Sequence, residues 1–189
     1  MTDVRIAAVA LALVAGVARA DGDPAVEFKG IALGIGESRL RDAFPFFQCR
    51  NADRALADRT CIADPATRPP AFAEIGGAPM REIVATFLDD GLAQLAITYD
   101  PDDYPRVEDA LAAKFGPPSI KHVNVINRRG ATIHNAVARW SLPSGIVENR
   151  RYGVTLDKAS LTLSSPSFTI DSQRRQLEAY KAKARPLQE

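Results

Sequence analysis

The chain has few of the residues from which metal and catalytic centres are usually built. Its 189 residues include only two cysteines, two histidines and one tryptophan, and aromatic residues make up 7% of the total. Two cysteines are too few for a disulfide-dense scaffold. A composition of 46% apolar and 25% charged residues is typical of an ordinary globular protein rather than a disordered, fibrous or membrane-embedded one.

The chain also lacks an excess of charge of one sign, since it has 24 basic and 23 acidic side chains. A nucleic-acid-binding role is therefore not expected, because such proteins carry a strongly basic surface. The charges are nevertheless uneven. Residues 21–110 carry 17 acidic and 9 basic side chains, whereas residues 111–189 carry 5 acidic and 13 basic ones. The two halves could attract each other, or the second could present a basic face to an anionic partner.

Long apolar runs are missing except at the amino terminus, where residues 1–20 have the pattern of a cleaved signal peptide. Arg5 precedes an apolar stretch over residues 6–17, and Ala18-Arg19-Ala20 supplies a small-x-small cleavage site. About a dozen apolar residues are too few to span a ~30 Å hydrocarbon core, although a retained anchor helix is the alternative. No cysteine stands near the cleavage site. We therefore expect a periplasmic bacterial protein that is not a lipoprotein and has no transmembrane segment in its mature chain.

Export would place the two cysteines in an oxidising compartment, where Cys49 and Cys61 are expected to form a disulfide bond. The expected Cα separation is about 4.4–6.8 Å. A redox or metal pair is the alternative, but the spacing is not CxxC and no second Cys/His pair accompanies it. The polar residues between the cysteines and the proline-rich stretch 65–70 are predicted to be irregular.

The first half of the mature chain predicts a strand, a short helix and a meander. Residues 26–31 alternate as a strand does, and Gly36 is a plausible cap for a helix over 37–44. An antiparallel meander follows at residues 72–75, 81–88 and 92–99. In its second turn, Asp89-Asp90-Gly91, glycine would accept the positive φ.

The second half repeats this order of a helix before strands. Asp103 is a candidate N-cap, apolar residues recur every four positions at Val107, Leu111 and Phe115, and Gly116 ends the helix. Predicted strands follow at 119–126, 132–142, 146–156 and 159–165. A polar helix over 171–183 has only Leu177 and Tyr180 to bury, which predicts a peripheral tail.

These elements predict an α+β fold of two fused helix-plus-antiparallel-meander units, with short helices packed on a mainly antiparallel sheet and a peripheral C-terminal helix. Unit one covers about 26–99 and unit two about 100–166, within a single domain over 21–168. Residues 169–189 form the polar helical tail. Each unit alone would expose an apolar sheet face, so the two are expected to share a core.

No motif in the chain predicts catalysis, a metal or a cofactor. Gly34-Ile35-Gly36 lacks the third glycine of a dinucleotide-binding loop, because Arg39 occupies that position. His122 and His134 fall on neighbouring predicted strands without a carboxylate or cysteine at ligand spacing, which makes a zinc site improbable. Two partly exposed strand histidines are the simpler interpretation.

Two Asn-Arg-Arg runs are the main candidates for a binding site. Arg128 with Arg129, and Arg150 with Arg151, could form a patch of four guanidinium groups if the sheet brings them together. Such a patch would suit phosphate or carboxylate groups on lipids, wall polymers or an acidic protein. The alternative is that all four are solvated arginines in turns.

Residues Phe28-Lys29-Gly30-Ile31, followed by Leu33-Gly34-Ile35-Gly36-Glu37-Ser38-Arg39-Leu40, resemble the opening of small exported bacterial proteins in which a Leu-Gly-Met-Thr-like turn leads into a short helix and an antiparallel sheet. The pattern is similar to the BamE/SmpA and beta-lactamase-inhibitor-protein-like group. The resemblance implies helix-plus-meander units that act by binding other proteins. The chain lacks the lipobox cysteine of BamE, so outer-membrane anchoring is not implied, and no binding residue is transferred.

The leading hypothesis is therefore a non-catalytic binding module for a protein or cell-envelope component, acting through its sheet face. One alternative is an envelope-acting hydrolase with an unrecognised site, and another is an anionic-ligand binder that uses the arginine pairs. The sequence pattern selects no particular partner or oligomeric state.

Overall fold

A computed structural model describes residues 25–53, 57–126, 130–153 and 155–184, which form eleven strands and three helices. The predicted signal peptide, residues 1–20, lies outside these residues. In chain order the elements are β1 (Glu27–Phe28), β2 (Ile31–Ala32), α1 (Glu37–Ala43), β3 (Phe47–Asn51), β4 (Arg59–Ala63), β5 (Glu74–Ile75), β6 (Ala78–Leu88), β7 (Gly91–Tyr99), α2 (Tyr104–Phe115), β8 (Ser119–Ile126), β9 (Thr132–Leu142), β10 (Gly145–Arg150), β11 (Ala159–Ser164) and α3 (Phe168–Ala184).

Nine strands form one antiparallel sheet in the order β3-β4-β6-β7-β11-β10-β9-β8, with β5 paired to the start of β6. The strands between α1 and α2 make up one lateral half of the sheet, and the strands that follow α2 make up the other half. They join where β7 pairs with β11, as at Ile97 opposite Leu161. The predicted α+β class, with helices and a mainly antiparallel sheet, is confirmed.

The core lies between one face of this sheet and the helices α1 and α2. Leu95, Ile97 and Tyr99 alternate along β7 toward that face and are fully buried. Leu40 from α1 and Val107 from α2 belong to the same apolar cluster. Burying a side chain of this size stabilises the fold by about 1.5–3 kcal/mol. Helices as short as α1 and α2 are only marginally stable by themselves, so packing against the shared core holds them in place.

Helix α2 follows the predicted pattern closely. Val107 and Leu111 are buried toward the sheet, and Gly116 ends the helix with φ +84° while its N–H donates to the Ala112 carbonyl. This positive φ is one that glycine adopts without steric cost. Trp140 on β9 donates its indole N–H to the Gly116 carbonyl at 2.7 Å, which fixes the end of α2 over the sheet.

The single strand predicted over residues 26–31 is wrong, because the chain reverses within it. β1 and β2 pair as a small hairpin around Lys29 and Gly30, which have φ values of +49° and +85°. Two consecutive positive φ values give the tight turn that suits the twist of paired strands.

The irregular segment predicted between the cysteines is shorter than expected, because its first two and last two residues belong to strands. β3 and β4 pair with each other, and Cys49 lies directly opposite Cys61. The disulfide bond is present, but its Cα separation of 3.9 Å is below the expected range. Directly opposed residues on paired antiparallel strands have Cα atoms about 4.5–5.5 Å apart, so strand pairing brings the two cysteines within bonding reach.

The meander is present as β5, β6 and β7, although residues 70–72 form a 3₁₀ turn and only Glu74–Ile75 remains of its first strand. In the turn between β6 and β7 the positive φ values fall on Asp89 and Asp90, at +48° and +65°, and not on Gly91 as predicted. Aspartate tolerates this conformation better than most non-glycine residues.

β8 and β9 match their predicted bounds, whereas β10 is shorter than the predicted 146–156. The Asn135 side chain donates to the Tyr152 carbonyl at 2.8 Å and accepts from the Tyr152 N–H at 2.9 Å. Asn135 is buried, and its amide therefore replaces a backbone partner at this point. One more backbone bond follows Arg150, from the Arg151 N–H to the Ala136 carbonyl at 3.0 Å, and at Tyr152 the Asn135 side chain takes the place of a backbone partner.

The C-terminal helix α3 begins at Phe168, earlier than predicted, and is peripheral. Its two candidate apolar side chains, Leu177 and Tyr180, are 53% and 72% exposed, so neither holds the helix to the core. Phe168 instead packs against a small cluster that includes Leu88 and Ala93. Further along the helix, Arg175 forms ion pairs with Asp58 and Asp89, which lie in other segments of the chain.

Candidate functional site

The sheet face opposite α1 and α2, called the open face below, carries small and polar side chains that remain partly accessible. On the central strands these side chains are Val84, Thr86, Gln94, Ala96, Thr98, Ser160, Thr162 and Ser164. α3 covers one end of this face, where Phe168 contacts Leu88 and Ala93. Strand alternation produces this surface because each buried core residue leaves its neighbours pointing the other way.

The open face has a depression of about 470 Å³ across β8, β9 and β10. It is lined by Ser119, Lys121, Val123, Val137, Arg139, Glu148 and Arg150. The strand register explains why they meet: Arg139 lies opposite both Ser119 and Glu148, and Val137 lies opposite both Lys121 and Arg150. Three cationic groups and one carboxylate give the depression a net positive charge.

Glu148 holds the two arginines of the depression in place. Its Oε1 accepts from Arg150 Nε at 2.6 Å, and its Oε2 lies 3.6 Å from Arg139 Nη1. The Glu148 side chain is only 17% exposed, whereas the arginines are 48% and 49% exposed. Each guanidinium has further N–H donors directed away from the carboxylate, so both arginines can bind an added anion without losing Glu148.

Lys121 adds a third cation at the rim of the depression. Its side chain is exposed on the edge strand β8. No hydrogen bond or ion pair joins it to another of the described residues. A carboxylate or phosphate group entering the depression could therefore take Lys121 as a partner without displacing one.

The structure does not bring the predicted arginines into one patch. Arg128 and Arg129 lie outside the described residues. Arg150 lines the depression, but Arg151 lies on the helix side of the sheet, where its guanidinium is near Tyr104 and 5.5 Å from the Tyr152 ring centre. Arg151 follows the end of β10 and does not line the depression, so Arg150 and Arg151 do not form one patch.

The histidines do not form a catalytic arrangement with each other. His122 lies opposite Ala136 and His134 lies opposite Asn124, on the helix side of β8 and β9, and both are exposed. His134 Nδ1 is 2.7 Å from the amide oxygen of Asn124. An amide neither accepts nor delivers a proton at neutral pH, so this contact orients the ring but supplies no proton-transfer partner.

One group of potential metal ligands occurs among the described residues: Glu37, Cys49 and Cys61, whose ligand atoms lie within 4.8 Å of one another. The two sulfurs are bonded to each other and are therefore not thiolates, which are the form that binds metals. The Glu37 carboxylate is already held by Arg59, at 2.8 Å and 2.9 Å. In the oxidised protein this group does not fit a metal ion.

A second polar cluster lies under α2, but it is closed. Tyr99 is fully buried and donates its hydroxyl to Asn149 Oδ1, and Tyr104 is 5% exposed. Burial is the main cause that raises the pKa of both tyrosines well above the usual value near 10. Both hydroxyls therefore stay protonated at neutral pH and are unsuited to act as bases.

Another depression, of about 480 Å³, lies against a group of phenylalanine rings at the opposite edge of the sheet. Phe44 and Phe46 pack on Phe72 with ring centres 5.5 Å and 5.0 Å apart. Its polar groups include Gln48 and Asp64, which hydrogen-bond to each other at 3.1 Å. This depression is mainly apolar, and its one carboxylate, Asp64, already accepts hydrogen bonds from Gln48 and from the Ala66 N–H, so it is a weaker candidate than the one beside β8.

Sequence reasoning identified Arg150 and missed Lys121, Arg139 and Glu148. These three residues are isolated charges in the sequence, each surrounded by strand-like residues. Their alternation within predicted strands was a usable signal, because it assigns them to a common face once the register of β8, β9 and β10 is known. That register depends on long-range pairing.

None of the helices in the described part of the chain is both long enough and apolar enough to cross a membrane. Comparison with protein-family models, with curated proteins and with solved structures finds no match to this chain.

Proposed function

We propose that this protein is a non-catalytic binding module that holds a protein or cell-envelope component against the open face of its sheet. The observation that carries the proposal is the depression on β8, β9 and β10, where Lys121, Arg139 and Arg150 surround a single carboxylate. Surfaces with uncompensated cationic groups beside small polar residues favour anionic partners. A partner with carboxylate or phosphate groups is therefore expected.

The proposal places the mature protein in the bacterial periplasm. The signal-peptide pattern over residues 1–20 and the disulfide bond between Cys49 and Cys61 support this location, because disulfides persist in oxidising compartments. Mass spectrometry of the protein from its native cells should find a chain that begins at Asp21. An intact amino terminus on cytoplasmic material would contradict export.

Binding through the open face can be tested by site-specific photo-crosslinking in cells that express the full chain. A photoreactive residue at Ser141 or Thr162 on the open face should give a discrete crosslinked product. The same residue at Asp109, exposed on the helix side, is the matched control and should give none. Arg139→Glu should reduce the yield from Ser141, since it reverses a charge of the depression.

The competing enzymatic function makes a different prediction. Purified protein that hydrolyses ester, peptide or glycan substrates, with turnover lost on His134→Ala, would overturn the proposal. Equal crosslinking from Asp109 and from the open face would also overturn it, because binding would then not depend on the surface described here.

A further inference from the structure

β8 is an edge strand whose outer side has no strand paired to it among the described residues. It runs unbroken over Ser119–Ile126, and its register with β9 has no bulge. Residues 119–124 are exposed on both faces, with Ile120 at 48% and Val123 at 43%. In an antiparallel edge strand, about half of the backbone N–H and C=O groups point away from the sheet. β8 therefore presents a free ladder with apolar side chains beside it.

The cationic groups of the depression stand directly behind this edge. On the open face of β8, Ser119 and Lys121 are successive residues, and Arg139 lies across from Ser119 on β9. A side chain on a strand added outside β8 would meet Lys121 directly. Two residues along, another side chain would pass over the short Ser119 side chain toward Arg139. Lys121 and Arg139 thus present two cationic groups to an added strand, at positions two residues apart along the same face.

We propose that β8 binds an extended segment of a partner protein by strand addition, and that this segment carries an acidic–apolar–acidic sequence. The two carboxylates lie on the open face, one beside Lys121 and one over Ser119 toward Arg139. The apolar residue between them lies on the helix side, next to the exposed Ile120. Backbone pairing supplies affinity and the alternating side chains supply specificity, as in other strand-addition complexes.

Charge favours such a partner over a second copy of this chain. Two β8 strands paired around an axis perpendicular to the sheet would place both depressions on the same face. Lys121 of the two copies would then lie on neighbouring strands, with Arg139 one strand behind each, and like charges on neighbouring strands are destabilising. An acidic segment instead neutralises the same groups.

The inference rests on the proposed function and specifies how the partner binds. Its test uses the full mature chain and a synthetic blocked peptide, Val-Glu-Val-Glu-Val, with Val-Lys-Val-Lys-Val as the control peptide. Fluorescence anisotropy should show saturable binding of the glutamate peptide, weakened by added salt, and no binding of the lysine peptide. Amide signals of residues 119–124 should shift in the NMR spectrum on addition of the glutamate peptide.

Charge reversal at β8 provides the discriminating variant. Lys121→Glu should weaken binding of the glutamate peptide about tenfold, because a favourable cross-strand pair becomes a repulsive one. It should also allow the lysine peptide to bind. Arg50→Glu is the matched control, since Arg50 is exposed on the other edge strand, β3, and should leave both affinities unchanged.

Three results would overturn the inference. The first is no binding of either peptide while crosslinking from Ser141 persists, which would leave the proposed function standing. The second is equal binding of both peptides. The third is sedimentation of the protein alone as a dimer that Val123→Pro converts to a monomer, because β8 would then be occupied by a second copy.

Discussion

The hydroxyl of Tyr99 on β7 donates a hydrogen bond to Asn149 on β10, and both side chains are completely buried. Between these strands lies β11, where Ala159 is opposite Tyr99 and Leu161 is opposite Asn149. The bond therefore links strands from the two halves of the chain across the strand that joins them. The small side chain of Ala159 gives the tyrosine ring room to lean toward β10.

Removing this hydroxyl should destabilise the protein. Tyr99→Phe leaves the Asn149 side chain buried without its donor, and an unsatisfied buried polar group costs about 1–3 kcal/mol. Urea denaturation should show a loss of this size. Tyr180→Phe, on the exposed face of α3, is the control and should change stability by less than about 0.5 kcal/mol. In the double variant Tyr99→Phe/Asn149→Leu, recovery of part of the loss is expected; a further loss would argue against the bond.

The disulfide bond should stabilise the fold without being required for it. It closes a loop with a sequence separation of 12, for which the chain-entropy estimate is about 3 kcal/mol. Cys49→Ala/Cys61→Ala should lower the thermal unfolding temperature while the far-ultraviolet circular dichroism spectrum stays native-like. A reducing agent should lower the unfolding temperature of the wild type and leave that of the variant unchanged. Equal stability of the two proteins would contradict this role.

Stability should fall in acid partly through Glu37. Its hydrogen bond from Arg59 is the main cause that lowers the pKa of its carboxyl, against the opposing effect of burial. A folded-state pKa below the unfolded one means that the stabilisation is present above the ordinary glutamate pKa of 4.5 and is lost as the pH falls through the folded pKa. The unfolding temperature of the wild type should therefore drop more steeply between about pH 6 and pH 3 than that of Glu37→Gln.

Arg59→Met provides a second measurement of the same pair. It removes the cation that holds the Glu37 carboxylate, so its pH profile should be as shallow as that of Glu37→Gln. A profile for Arg59→Met that is as steep as the wild type would show that another group is responsible for the acid dependence.

Helix α3 should be released by a change at one residue. Arg175 pairs with Asp58 at 2.7 Å and with Asp89 at 2.8 Å, and its side chain is only 18% exposed. Arg175→Met should increase amide hydrogen exchange in α3 and its cleavage by trypsin, with a small effect on global unfolding because the core does not include this helix. Arg174→Met is the matched control, since the ion pair that Arg174 makes among the described residues, with Asp171 at 2.9 Å, lies within α3.

Equal exchange and cleavage rates in the Arg174 and Arg175 variants would contradict the anchoring role of Arg175. In that case Phe168, which packs against Leu88 and Ala93, would be the contact that holds the helix.

Local patterns were sufficient for several elements. α2 was predicted from a four-residue apolar repeat closed by Gly116, and β8 and β9 from alternation between clear turns. β3 and β4 were missed because they are short and polar, and they become strands through pairing with each other and with β6. The end of β10 was missed because the Asn135 side chain, distant in sequence, takes the place of a ladder partner.

The candidate site was likewise predicted only in part from local sequence patterns. Arg150 stood out within an Asn-Arg-Arg run, but its neighbour Arg151 turned out to face the other side of the sheet. Lys121, Arg139 and Glu148 were not recognised, because nothing in their local sequence indicates that they share a surface. The register of β8, β9 and β10 brings them together.

Helix periodicity, turn residues and the presence of only two cysteines fixed the fold class and the disulfide partners, since these depend on neighbours along the chain and on simple counting. Which charges meet on the open face, which strand remains at the edge and how α3 is anchored came only from the folded chain. These features depend on the pairing of β7 with β11 and on side chains far apart in sequence, and cross-strand register is a property of the whole sheet.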